Sequence, residues 1–419
     1  MKKNFSQQEA IILNFWEEHQ TFKKSLDQTR NNQPYVFFDG PPFATGLPHH
    51  GHLLISSIKD VLARYFTMKG FFVERRFGWD CHGLPIEHEI DKKLEMSSKE
   101  ALETIGIKAY NQECRNIVMR YSKEWEAQIN RLGRWVDFKN DYKTLDMSFM
   151  ESVWWVFHEI WKKDLIYQGT KVLGYSPALG TVLSNFEANS NYKVTQDPSI
   201  KIFFESTNFD FLVWTTTPWT LPSNLGLCVH PELEYALVQG SRSKPFIVLQ
   251  SMADSLGEVL KTMKGSELEG LSYKPLYTFF EVDQNLYYKV FCDPYVSESQ
   301  GTGIVHLAPT YGEEDLRIMK KYELHLLPYL LDQHGFFLES ADLLKKLYFK
   351  DADKVIIKNL KERNRLQEVT QITHSYPFCP RSQTPLIYLA IPSWYIAVEK
   401  IKDQLVENNK TISWVPDHI

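Results

Sequence analysis

Cysteine is scarce in this 419-residue chain: five stand at 81, 114, 228, 292 and 379, an odd number, far apart, with no CxxC pair. That usage gives no disulfide framework and fits reduced thiols, hence a cytoplasmic location. Long apolar runs are absent too, so no membrane span and no membrane partner are expected. The opening MKKNFSQQEAIILNFWEEHQ has two lysines but no apolar core of signal-peptide length. Its Ile11, Ile12, Phe15 and Trp16 fit one face of an amphipathic helix instead. Positive charge is not in excess: 47 Lys and Arg face 52 Asp and Glu, a net of −5. Nothing global therefore points to nucleic acid, although a local patch stays compatible with that balance. There is no internal repeat and no low-complexity segment. Apolar residues, by contrast, make up 43% of the chain, with 26 Phe, 21 Tyr and 11 Trp. They can fill sizeable cores, and the length suits about three domains.

Residues 35–83 organise the rest. Tyr35, Val36, Phe37 and Phe38 form an apolar run that predicts a buried strand, broken by Asp39-Gly40-Pro41-Pro42. Leu54, Ile58, Val61, Leu62 and Tyr65 then recur at helical spacing, and Gly70 follows where a helix should stop. His49, His50 and His52 lie where that helix begins. A helix N-terminus offers unpaired N–H groups and a positive dipole end, which suits a phosphate. The unit reads as strand, tight loop and helix: an α/β nucleotide site.

Further on, Ser97 with Glu100 makes a capping box. A long helix carries Tyr110, Cys114, Ile117, Val118, Tyr121, Trp125 and Ile129 up to Gly133. A second capping box, Ser148 with Glu151, predicts a helix bearing Val153, Trp154, Phe157, Ile160 and Trp161. The texture changes near Gly174. Short β-prone runs dominate 200–310: KIFFES, FDFLVWTTT, LGLCVH, EYALVQG, KPFIVLQ, NLYYKVF and GTGIVHL. They predict a compact barrel or sandwich, with a helix or two around 251–261. After 371 the chain turns Pro-rich and SWYIAVEKIKDQL resumes an α/β style.

His49-His50-Gly51-His52 has the form HxGH, a weak signal alone. In the context DGPPFATGLPHHGH, followed by GWDCHGLPIE, it resembles class I aminoacyl-tRNA synthetases of the isoleucine type. LGRWVDFKNDYKTLDMSFMESVWWVF, WTTTPWTLPSN, GTGIVHLAPTYGEED and the closing SYPFCP, TPLIYLAIPSWYI and WVPDHI are similar to that family as well. The second family signature, KMSKS, does not occur in this sequence. The expectation is therefore the opening portion of a longer enzyme.

The resemblance implies the first half of a Rossmann-like nucleotide-binding domain interrupted by a large, β-barrel-rich editing insertion. It places a helical extension at 1–34 and catalytic sequence at 35–173. A connective insertion follows at 174–390, its editing domain at about 188–372, and 391–419 returns to the catalytic domain. The implied reaction is ATP-dependent activation of isoleucine and transfer to tRNA(Ile), by a monomer, with Mg2+ accompanying ATP. His49, Gly51, His52 and Thr45 would hold ATP. Asp80 would pair the amino group of isoleucine in a pocket shaped by Pro41, Trp79 and Trp394. In the insertion, Asp315 would pair the ammonium of misattached valine, His306 would contact the substrate end, and Thr216 and Thr217 would orient the ester or water.

Plainer readings exist for each. Trp79 and Trp394 are what a core uses, and Asp80 is a natural turn carboxylate. His49, His52, His82 and His88 have the side chains of a metal cluster. Thr215, Thr216 and Thr217 suit any exposed strand. Glu313 can close a capping box with Thr310, and Asp315 would sit in the same first turn, where a helix dipole favours acids. Some relatives of this type carry two cysteine pairs at the base of the insertion. Here those stretches read Tyr175-Ser176-Pro177-Ala178-Leu179-Gly180 and Phe378-Cys379-Pro380-Arg381-Ser382. One thiolate in place of four predicts no zinc.

Overall fold

The computed structural model describes residues 4–299, 301–416 and 418. The chain divides into two compact units, 1–165 and 166–419.

The first unit is helix-rich α/β. Helices α1 (Phe5–Glu18), α2 (Thr21–Thr29) and α3 (His50–Met68) precede strand β1 (Arg76–Trp79). Then come α4 (Leu84–Leu94), α5 (Ser98–Thr104), α6 (Gly106–Leu132), strand β2 (Asp137–Lys143) and α7 (Met147–Trp161). β1 and β2 pair in parallel, joined by the α4–α6 crossover. Phe77, Trp79, Ile86, Val118, Trp125 and Ile129 form the core between them and α6.

Three expectations change here. The buried strand at 35–38 is not formed. The segment 34–43 lies beside 72–80 and touches it through single parallel bridges at its two ends, Pro34 to Phe72 and Phe43 to Asp80. Pro34, Pro41 and Pro42 have no N–H to give a ladder, and Phe38 is 91% exposed. Helix α3 forms as predicted, but its apolar stripe faces outward: Leu54, Ile58, Val61, Leu62 and Tyr65 are all exposed. Its inner face is built from small residues, Ser56 and Ala63, which let the helix approach its neighbours closely. Helix α7 starts at Met147, one residue ahead of the predicted Ser148 cap. Its N-cap is Asp146, whose carboxylate turns back to accept from Lys143 N–H at 2.9 Å. No residue of α7 is buried.

The second unit is dominated by a curled nine-stranded sheet. Strands β3 (Ile166–Ser176) and β4 (Thr181–Val182) and helix α8 (Asn185–Asn189) lead into β5 (Tyr192–Glu205), β6 (Asp210–Thr215), β7 (Gly226–Val229), β8 (Glu234–Gln239) and β9 (Phe246–Leu249). After α9 (Gln250–Ala253) come β10 (Glu258–Lys264), β11 (Lys289–Cys292), β12 (Ile304–Leu307), α10 (Glu313–Lys321) and α11 (Phe349–Glu362). β13 (Leu366–Pro377), β14 (Ile387–Ile396) and α12 (Lys402–Asn409) close the order. The main path is β10-β8-β9-β6-β12-β7-β11, with β5 on the other edge of β6 and β13 beyond β5. The helix expected over 251–261 shrinks to α9, and β10 pairs antiparallel with β8 as an edge strand.

One edge of β6 splits its pairing. Asp210 and Phe211 pair with β9, while Trp214 pairs with Val305 of β12. The sheet opens at that fork, and Thr216 and Thr217 continue out of it. Ile200, Ile202, Phe211, Val213, Leu227 and Tyr235 fill the interior, closed by Phe349, Ala352, Ile356 and Leu360 of α11. Two antiparallel ribbons form the stem: β3 with β14, and β5 with β13.

Candidate active sites

In the first unit the HxGH stretch makes a reciprocal cap on α3. His49 Nδ1 accepts from Gly51 N–H at 3.1 Å, and His52 Nδ1 accepts from His49 N–H at 3.2 Å. The rings stack with centroids 3.7 Å apart. A ring nitrogen that accepts carries no proton, so each neutral imidazole keeps its proton on Nε2. Burial, reinforced by His49 and Lys59, holds the His52 pKa below its usual value. The cap thus presents two Nε2–H donors while occupying two of the helix's own N–H groups.

Asp80 is clipped to the loop ahead of α3. Its N–H donates to Pro42 C=O at 2.9 Å and its C=O accepts from Ala44 N–H at 3.3 Å. This brings Asp80 alongside the segment that carries Pro41 and Thr45. Trp79 goes elsewhere. Its indole is fully buried in the core against Phe77 and Trp125 and donates to Asp141 Oδ2 at 2.9 Å. Trp394 lies on β14 in the second unit, half exposed and opposite Gln168 of β3. Among the described residues no three His, Cys, Asp or Glu side chains gather as a metal site.

Behind the loop, sequence reading missed a charged network. Asp39 accepts from both Lys59 Nζ and Arg134 Nη2, the latter at 2.6 Å, and Tyr142 donates to the Asp39 carbonyl at 3.2 Å. These partners stand far from Asp39 in sequence, and no spacing rule joins them.

In the second unit the threonines fold into a turn at the fork of the sheet. Thr217 N–H donates to Thr215 Oγ1 at 3.1 Å. Thr220, in the 3-10 helix Pro218–Ser223, donates to Thr217 C=O at 2.8 Å and meets His306 Nε2 at 3.0 Å. A hydroxyl has one proton. With it given to Thr217, Thr220 accepts from His306 Nε2–H, and His306 Nδ1 is a bare lone pair. That atom is buried and meets no partner among the described residues. Burial depresses the imidazole pKa to about 4, so it is neutral at pH 7. Thr216 stands partly exposed beside this chain.

The β12 strand that delivers His306 depends on Gly303. Its φ is +73°, and a Cβ there would come within 2.8 Å of Leu249. Two residues past His306, Ala308 N–H donates to Asp315 Oδ2 at 2.8 Å. Burial lifts the Asp315 carboxyl to about 6. Thr310 does not cap α10, contrary to expectation: the N-cap is Gly312. A Cβ on Gly312 would lie 2.6 Å from Asp315 Cγ and Oδ2, so glycine leaves the carboxylate its space.

Sequence reading also missed Thr220 and Asp353. Thr220 lies inside the quoted WTTTPWTLPSN and could have been picked out from it. Asp353, on α11, accepts from Trp219 N–H at 2.8 Å, anchoring the start of the 3-10 helix; burial raises its carboxyl to about 7. Nothing in its amphipathic surroundings announces that role. At the foot of the stem, Cys379 is buried and accepts from Ser382 N–H at 3.5 Å. Burial acts to raise its pKa, but hydrogen bonding from Ser382 helps to leave it below the usual thiol value.

Over residues 11–419 the chain matches the model of the tRNA synthetases class I (I, L, M and V), and it belongs to that family. It is 48% identical to the cytoplasmic isoleucine–tRNA ligase of Mus musculus, over 99% of this chain and 34% of that protein. It is 47% identical to the isoleucine–tRNA ligase of Chlamydia pneumoniae, over 100% of this chain and 41% of that protein. Identity to the Bdellovibrio bacteriovorus isoleucine–tRNA ligase is 48%, over 99% and 40%. The chain thus spans 34–41% of the length of these relatives. No helix among the described residues is long and apolar enough to cross a membrane.

Proposed function

We propose that this chain is the part of an isoleucine–tRNA ligase that receives isoleucine and ATP in a Rossmann-like first unit and edits misattached valine in the insertion that forms most of the second. The insertion spans 174–390, with editing at about 188–372. The full reaction is ATP-dependent activation of isoleucine and its transfer to tRNA(Ile). The Nε2–H donors of His49 and His52, with Gly51 and Thr45, would bind ATP, and Mg2+ would be held through the nucleotide phosphates. Asp80 would pair the isoleucine ammonium beside Pro41. Trp79 would support that pocket from behind.

An editing site answers a general limit, established for such pockets rather than read from this structure: one methylene is worth only ~10–200-fold in discrimination. The observation that carries the editing reading is the Thr217–Thr220–His306 chain, two residues from the amide that holds Asp315. Neutral His306 positions the threonine hydroxyls, Thr216 and Thr217 orient the ester or water, and ionised Asp315 pairs the valine ammonium. Incubating the chain with Val-tRNA(Ile) tests this. Hydrolysis that spares Ile-tRNA(Ile) and falls more than tenfold in Asp315→Ala supports it; equal hydrolysis by both proteins refutes it.

A second reading is that this chain alone keeps only the deacylase activity. The outward apolar faces of α3 and α7 favour it, since the second unit closes its own core and the first leaves those faces exposed. ATP–pyrophosphate exchange by the isolated chain separates the two: none is expected, and a normal rate would exclude this reading.

A further inference from the structure

The residue just ahead of β1, Arg75, is 5% exposed and carries a charge that no carboxylate pairs among the described residues. One arm is fixed: Nη2 donates to Ala63 C=O at 3.1 Å and to Thr67 Oγ1, both on α3. Its Nε and Nη1 are buried and meet no acceptor among the described residues. Trp135 Nε1 is in the same condition. Arg75 and Trp135 line one cavity of about 10 Å³. Every unpartnered buried polar atom on that cavity is therefore an N–H donor.

The charges agree. Lys59, Arg75, Arg76 and Arg134 line the cavity against two carboxylates, Asp39 and Asp60. Both acids are already engaged: Asp39 by Lys59 and Arg134, Asp60 by Arg64 Nε at 2.6 Å. Burial, with Arg64 and Arg134 nearby, pulls the Arg75 pKa down to about 10, Asp60 opposing. It is still a cation at pH 7. A buried unpaired charge is strongly unfavourable unless a counter-charge joins it. A water would accept two of the donors but bring no charge. The space is about that of one water-sized sphere, too small for a phosphate, a sulfate or a carboxylate side chain.

We propose that this cavity is a binding site for a monatomic anion of the halide class, held by one free N–H edge of the Arg75 guanidinium and by Trp135 Nε1–H. The anion completes the network that backs the Asp39 loop and the start of β1. Its occupancy stabilises the first unit, independently of the synthetase reading.

The test compares thermal midpoints of the 419-residue chain in sodium chloride and sodium gluconate at constant ionic strength. The unmodified chain should gain about 5 °C over a hundredfold rise in chloride through the binding range. Arg75→Met, which removes the buried charge, should be flat. The same chloride response in Arg75→Met, or stabilisation that sulfate reproduces, overturns the proposal. Should that variant not fold, bromide-soaked crystals of the unmodified chain decide. An anomalous peak between Arg75 and Trp135 supports the site, and its absence refutes it.

Discussion

Gly312→Ala is the perturbation whose cost the structure defines best. The added methyl would sit 2.6 Å from Asp315 Cγ and Oδ2, well inside contact distance. Nothing about the backbone forbids alanine there, since φ is −122°. At an N-cap alanine is itself less favourable than glycine, by up to about 1 kcal/mol. The larger expense is steric, and it falls on one carboxylate. To make room Asp315 must leave Ala308 N–H, an amide it now binds at 2.8 Å. An unpaired buried N–H costs about 1–3 kcal/mol. We expect about 2 kcal/mol from urea midpoints, with valyl-tRNA hydrolysis falling toward the Asp315→Ala level. A double-mutant cycle isolates the cause. With Asp315 already truncated to Ala, the methyl has space, and adding Gly312→Ala should cost no more than the N-cap difference of about 1 kcal/mol. An undiminished cost in that background would refute the account, because the strain would then lie in the backbone or in other neighbours.

Two buried groups make opposite pH predictions. His306 is held near 4 when folded against 6.5 as a free imidazole, so the unfolded chain binds the extra proton between those values. Stability is full above about 6.5 and falls as pH drops toward 4, by up to about 3 kcal/mol; urea midpoints across that range should lose this slope in His306→Gln. Asp353 is the reverse: near 7 folded and 3.8 free, it binds the proton when folded, so its contribution falls as pH rises from about 4 to 7. Asp353→Asn should remove that fall in the same titration, whereas Asp353→Ala, which orphans Trp219 N–H, should also cost about 1–3 kcal/mol at every pH.

Much of this was legible in sequence, for reasons that differ by residue. The runs KIFFES, FDFLVWTTT and GTGIVHL are short, β-branched and bounded by turns, and each becomes a strand. The periodicity of 54–65 announces a helix but not which side packs. Ser56 and Ala63, which look unremarkable in a hydrophobic pattern, are the residues that face inward. The 35–38 run failed as a strand because apolar composition cannot supply the donors that flanking prolines remove. At 258–264 a charged, exposed sequence resembles a helix surface as readily as an edge strand, and pairing with β8 decides it. The family motifs single out His49, His52, Asp80, His306 and Asp315 as candidates. They could not reveal Asp353, Arg75 or Trp135, whose chemistry exists only through neighbours brought in from distant sequence.

The two stem ribbons have a consequence for how this chain reaches its shape. Tyr175 pairs with Ile387 and Tyr192 with Pro377, so the inner ribbon lies wholly within the outer one in sequence. Closing a loop between distant residues is entropically unfavourable, and the cost grows with the length left free. Once β5 has zipped to β13, only two short linkers separate β3 from β14, and the outer ribbon closes at the cost of a small loop. Loop entropy therefore favours pairing from the inner ribbon outward, with β3 and β14 closing last. A segment so arranged, entering and leaving through adjacent strands, can be lengthened, shortened or exchanged as a cassette without rethreading its host.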